Sequence, residues 1–291
     1  MTARSAAADP DVPTFEGRPL PDPTEPAWDQ GLAFDLDTLI DRRRVLMGMG
    51  LAGLSLGLVA CGTGSGATAS VSAAASASTG TAECVAEIPG ETAGPFPGDG
   101  SNGPDVLSDS GVVRKDIRSS FGSSTTVATG VPLTIRLAIL DVAKGCAPID
   151  GAAVYLWHCD QQGRYSLYSQ GVEGENYLRG VQAAGTDGIV EFTSVFPACY
   201  DGRWPHIHFE VYPSLDAATN ASSKITTSQL ALPEDTCNAA YTADGYGASV
   251  SNLAKVSLAA DNVFRDGWDT QVPSITGSVD GGYTATLDVP V

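Results

Sequence analysis

Two of the chain's three histidines sit one residue apart, His206 and His208, in the stretch RWPHIHFEVY. In an extended strand, successive side chains point to opposite faces. That spacing puts both imidazoles on one face and Ile207 and Phe209 on the other. Two imidazoles on one face are either polar decoration or two donors aimed at one ion. Tyr165 in GRYSLYS and Tyr200 in FPACYDGRW add two phenols, and Arg203 adds a cation. A tyrosine in a strand is more often a core residue with its hydroxyl at an edge, so neither phenol identifies a site alone. Together, the four suggest a metal. Phenolate is a hard anionic donor that suits a hard, highly charged ion able to lower a phenol's pKa from about 10. Imidazole suits most first-row ions, and no thiolate cluster points to structural zinc. Iron(III) fits best. A two-histidine, one-carboxylate iron(II) site fits less well because HIH lacks an acidic partner at the usual spacing, and a zinc hydrolase would need Glu210 as its base.

The elements that must hold these residues are short. VPLTIRLAILDV (131–142), AAVYLWHCD (152–160), GIVEFTSVF (188–196), HIHFEVYPS (206–214) and GYTATLDVPV (282–291) read as strands. Asp-Gly or Gly-Gly at 150–151, 187–188, 201–202 and 281–282 supplies turns between them. The sum predicts a mainly β domain over 83–291, an antiparallel β-sandwich with short helices and long loops. Residues 214–223 and 238–266 are expected to hold a short helix or ordered loop, with SNLAKVSLAADNVF the best helical candidate. Cys84, Cys146, Cys159, Cys199 and Cys237 match no zinc spacing and suggest two disulfides and one free thiol. A net charge of −18 argues against nucleic-acid binding.

At this level of detail the chain resembles the intradiol ring-cleavage dioxygenases. The resemblance covers roughly residues 90–235 and follows one order: W-x5-G-x-Y from Trp157 to Tyr165, L-R-G-x-Q from Leu178 to Gln182, and P-x2-Y-x2-R-x2-H-I-H from Pro197 to His208. It implies Tyr165, Tyr200, His206 and His208 as ligands of an Fe(3+) cofactor, with Tyr200 and His208 axial and Tyr165 and His206 equatorial. It also implies that Arg203 stabilises charge on the substrate ring and that the active-site glutamine falls on Gln229. Tyr200 would leave the metal and accept a proton as a catechol-type substrate chelates. The ring would then open with O2 between its two hydroxyls to a muconate-type product, with no external reductant or organic cofactor. Gly94-Pro95-Phe96 falls where the family has a substrate-pocket wall. His158, outside the family's ligands, reads as a structural histidine. The chain lacks the large helical N-terminal region of the intracellular enzymes and is closer to the secreted branch, with its oligomeric state open. The competing class is a non-catalytic extracellular β-sandwich that binds carbohydrate or cell wall.

The first third of the chain is organised differently. Arg42-Arg43-Arg44-Val45-Leu46, an apolar run to Ala60 and Leu58-Val59-Ala60-Cys61 are ordered like a twin-arginine lipoprotein signal over 1–61. They predict a lipid on Cys61, hence an exported protein, anchored at the cell surface or secreted, that meets a membrane only through that lipid. Residues 62–82, rich in Gly, Ser, Ala and Thr, read as a flexible tether.

Overall fold

The computed structural model describes residues 86–291, plus the backbone of two short strands, β1 (Thr14–Phe15) and β2 (Arg18–Pro19), which pair with each other. The signal region apart from those strands, Cys61, the 62–82 tether and Cys84 lie outside the described residues.

Two sheets face each other. The first is built around β3 (Pro132–Asp141), whose alternation buries Leu133, Ile135, Leu137 and Ile139 and leaves Pro132 and Arg136 less covered. It pairs antiparallel with β4 (Ala147–Pro148) and β7 (Ile189–Val195), and parallel with β11 (Gly282–Pro290). β10 (Ser274–Ser278) extends this sheet beyond β11. The second sheet is wholly antiparallel, in the order β6 (Arg179–Ala183), β5 (Ala153–Trp157), β8 (His206–Tyr212), β9 (Thr226–Ala231).

Strand β8 is buried on both faces, and the two faces differ in chemistry. Ile207, Phe209 and Val211 enter the inter-sheet core with Leu156, Phe192, Leu230 and Leu287. His206, His208, Glu210 and Tyr212 take the other face, beside Tyr155 and Trp157 of β5. There a long loop seals the sheet with Ala93, Val106, Leu107 and Val112. The strand is thus clamped by apolar packing on the side away from the histidines. The parity read from the sequence holds, and the sandwich is as expected apart from one parallel pair.

A short helix does form within 238–266, but it covers only the first three residues of the candidate segment 251–264. The described helices are α1 (Glu234–Ala240) and α2 (Gly247–Leu253), and α2 ends where the candidate segment begins in earnest. From there the chain makes short 3-10 turns at Leu258–Ala260 and Phe264–Asp266. The cause is Asp261, whose carboxylate accepts from the Val263 and Phe264 amides and so offers the backbone a partner that a helix would not. Segment 214–223 holds two 3-10 turns, Ala217–Thr219 and Ala221–Ser223.

The disulfide expectation also needs correcting. Cys146 is disulfide-bonded, but Cys159, Cys199 and Cys237 are all free, buried thiols. Cys159 and Cys199 brace the neighbourhood of Tyr165 and Tyr200 by packing, with Cys159 Sγ 3.6 Å from the Ala198 carbonyl and Cys199 Sγ 3.5 Å from that of Arg203.

Candidate metal centre

Four side chains named from the sequence converge on one point. His206 Nε2 lies 3.1 Å from His208 Nε2, 3.2 Å from Tyr200 Oη and 3.3 Å from Tyr165 Oη. Metal–nitrogen bonds of about 2.0–2.1 Å separate neighbouring donors by about 2.9–3.4 Å, so these spacings suit donors sharing one ion. The tautomer agrees. His206 Nδ1 lies 2.6 Å from the Trp204 carbonyl, which makes Nδ1 the protonated nitrogen and leaves the Nε2 lone pair for the centre.

Each donor has a local reason for its place. Trp157 is cross-strand from His208 and stacks on its imidazole, with ring centroids 4.8 Å apart and planes 4° apart. Tyr165 hangs from a turn built by Asp160, whose carboxylate accepts from the Gln162 and Arg164 amides and from the Tyr177 hydroxyl. Gly163 in that turn has φ +82°, and a β-carbon there would come within 3.0 Å of Tyr200 Cβ, so the G-x-Y glycine lets the two tyrosine segments close on each other. Gly94 plays a similar part: at φ +70°, its missing β-carbon would sit 3.3 Å from His208 Cε1. Phe96 then lies with its ring 4.9 Å from that of Tyr165.

Electrostatics set the resting state. Burial, reinforced by Arg203, holds both imidazoles well below their ordinary pKa and keeps them neutral; for His208 the His206 ring adds to the effect. Burial lifts Tyr165 well above 10, helped by Tyr200, and lifts Tyr200 to about 12 against the opposing pull of Arg203. Two neutral imidazoles and two acidifiable phenols form a donor set that a hard cation would convert to two phenolates. Among the described residues, no group of three or more His, Cys, Asp or Glu could hold a metal. Glu210 is no partner for the histidines, since it takes the Tyr212 hydroxyl at 2.6 Å and Lys224 Nζ at 2.7 Å. That removes the base a zinc hydrolase would need.

Arg203 and Gln229 are brought to the same place. Gln229 is the β9 residue opposite His208, and its Oε1 accepts from Arg203 Nη2 at 2.8 Å while its Nε2 donates to the Thr92 carbonyl at 2.9 Å. His158 is structural, as expected: its ring nitrogens meet the Cys159 carbonyl at 2.8 Å and Ser194 Oγ at 2.7 Å.

Three participants carried no assigned role in the sequence. Asp261 accepts from Arg203 Nε at 2.9 Å and from the Trp204 amide at 2.7 Å. Arg179 holds the carbonyls of Phe96 and Pro97 on one side and Ser166, next to Tyr165, on the other. Trp157 supports His208. Trp157 and Arg179 stand in the recurring motifs W-x5-G-x-Y and L-R-G-x-Q, which was the available signal. For Asp261, 58 residues beyond Arg203, the sequence held none.

Residues 103–244 match the family model described as Dioxygenase, and the matched segment contains all four donors, Arg203 and Gln229. A solved intradiol ring-cleavage dioxygenase from Tetranychus urticae superposes with a TM-score of 0.55 at 22% identity, covering 71% of this chain and 94% of that one. A second solved dioxygenase gives 0.56 at 23% identity, covering 72% and 94%. A chlorocatechol 1,2-dioxygenase from Rhodococcus opacus is 37% identical over 54 residues, which span 19% of this chain and only 21% of that protein. Residues 103–244 thus carry a dioxygenase family match, and the fold is the one shared with solved intradiol ring-cleavage dioxygenases.

Proposed function

We propose that this protein is an iron(III) dioxygenase that opens catechol-type rings between their two hydroxyls, using O2 and yielding muconate-type products. The observation that carries the reading is the convergence of Tyr165, Tyr200, His206 and His208 on one point, with Arg203 and Gln229 alongside. Those four residues would hold the iron. Iron(III), when bound, supplies the Lewis acidity that favours a doubly deprotonated catechol and the electronic partner that O2 requires. The chain's own residues do the rest. Tyr200 is the less covered of the two phenols, Tyr165 being fully buried, so Tyr200 Oη is the donor better placed to move and take a substrate hydroxyl proton. Arg203, held by Asp261 and Gln229, presents its remaining N–H groups to negative charge developing on the ring. Phe96 beside Tyr165 shields the ring's approach from water. The non-catalytic binding alternative leaves this convergence without a purpose.

Iron loading should turn the purified protein burgundy through tyrosinate-to-iron charge transfer, and catechol should shift the band. Oxygen uptake should match catechol consumed one to one. A protein that stays colourless after iron loading would overturn the reading. We also propose that the domain is exported on a lipid attached to Cys61, a placement that cell fractionation with and without Cys61→Ala would test.

A further inference from the structure

We propose, building on the ring-cleavage reading, that Gln271 is a positioning residue for the site: together with segment 89–92 it fixes the one orientation of Gln229 that aims the Arg203 guanidinium. Gln271 and that segment both lie outside the residues 103–244 that match the family model, so the matched segment does not complete the site on its own. Strand β9 ends its sheet and pairs with β8 along one edge. Its other edge is a row of backbone groups that need partners. Gln271, 0% exposed, serves that edge as a further strand would: its own carbonyl accepts from the Ala231 amide at 2.9 Å, and its side-chain Nε2 donates to the Gln229 carbonyl at 3.1 Å. The same Nε2 reaches Glu91 Oε1 at 3.2 Å and Ser228 Oγ at 3.4 Å. On the same edge the Glu91 amide donates to the Thr227 carbonyl at 2.7 Å, and Ser228 Oγ donates to the Pro89 carbonyl at 2.7 Å. Segment 89–92 is thereby tied along β9, with the Thr92 carbonyl against the Gln229 side chain.

Gln229 turns that attachment into direction. Its Nε2 donates to the Thr92 carbonyl at 2.9 Å and its Oε1 accepts from Arg203 Nη2 at 2.8 Å. A backbone carbonyl only accepts and a guanidinium only donates, so one amide orientation satisfies both neighbours and the flipped one satisfies neither. Arg203 is already held at Nε by Asp261, at 2.9 Å. Gln229 is the second point of attachment, and two points fix the plane of the guanidinium and the direction of its remaining N–H groups. Loosening segment 89–92 frees the amide to turn, and a turned amide sets N–H against N–H at Arg203. Gln271 Oε1 has no partner among the described residues, so this side chain is held by its donor end alone. A fully buried position that served packing only would favour an apolar side chain over one with an unpaired carbonyl.

The test replaces Gln271 by methionine, which is close in volume and has no donor. In the iron-loaded full chain, Gln271→Met should lower kcat on the order of tenfold while leaving the resting charge-transfer band in place and the oxygen-free dissociation constant for catechol within about twofold, the pattern of an interaction that acts in the transition state. Because Gln271 works through Gln229, adding Gln271→Met to Gln229→Ala should cost nothing further in kcat, whereas independent roles would add. In the metal-free protein, the side-chain amide resonances of Gln229 should shift and exchange faster in Gln271→Met. Should that variant not fold, Glu91→Ala, at a half-buried position, frees the same segment and carries the same expectations. Wild-type kcat or an unmoved Gln229 amide in a folded variant, or losses that add to that of Gln229→Ala, overturns the proposal. Absence of turnover by the iron-loaded wild-type protein would refute ring cleavage instead, while the Gln229 amide resonances still decide the positioning role.

Discussion

The two tyrosines of the candidate site differ more than their shared chemistry implies. Tyr165 is fully buried against Phe96 and Tyr200, whereas Tyr200 is only partly covered and feels the charge of Arg203. Tyr200→Phe should therefore keep iron but slow turnover on the order of 10²–10⁴-fold through loss of proton transfer, as single-turnover kinetics would reveal. Tyr165→Phe should instead lower iron affinity, read by chelator competition. His158 makes a prediction about pH. Burial holds it at about 4, below its ordinary 6.5, so the unfolded chain binds a proton there that the folded protein refuses. The stability it contributes is complete above pH 6.5 and is lost as pH falls toward 4, about 3 kcal/mol in all for this group. Urea unfolding across that range should show the loss, and His158→Gln should flatten it. Glu91 acts in the opposite sense: burial raises its carboxyl to about 7, which favours the folded state at lower pH.

Elements succeed here by what they bring together. The β8 parity was legible because a period of two follows from strand geometry and needs no knowledge of neighbours. The 3-10 turns replacing the expected 251–264 helix were not legible, since Asp261 is recruited by Arg203 and Trp204 from far along the chain. Strands β6, β9 and β10 were missed for a related reason: RGVQA, TTSQLA and SITGS are poor in strong strand formers and become strands by pairing with β5, β8 and β11. The loop over the site depends on Arg179. Arg179→Met should cost about 3 kcal/mol, because it leaves the carbonyls of Phe96 and Ser166 without their side-chain donor and leaves that of Pro97 with Tyr155 Oη alone. Proteolysis at 94–98 should accelerate in step. Gly163→Ala strains a positive φ and pushes on Tyr200, so it should shift the charge-transfer band of the iron-loaded protein even where the fold survives.

At the scale of the whole molecule, the three free cysteines are a testable departure from the pattern expected of an exported protein. Cys159, Cys199 and Cys237 are buried, and burial raises all three thiols, Cys199 to about 12. Alkylation followed by peptide mapping should modify these three only after denaturation, and Cys146 only after reduction as well. By itself, the sequence determined the residue types and spacings that suit a hard metal, the strand parity that aims two histidines one way, and the β-rich class. Those follow from local geometry and donor chemistry. Only the tertiary structure decided that the other three donors lie within 3.3 Å of His206 Nε2, that Asp261 pairs with Arg203, and that Arg179 is held by the carbonyls of Phe96, Pro97 and Ser166. Each depends on which distant segments pack together, and no local pattern encodes that.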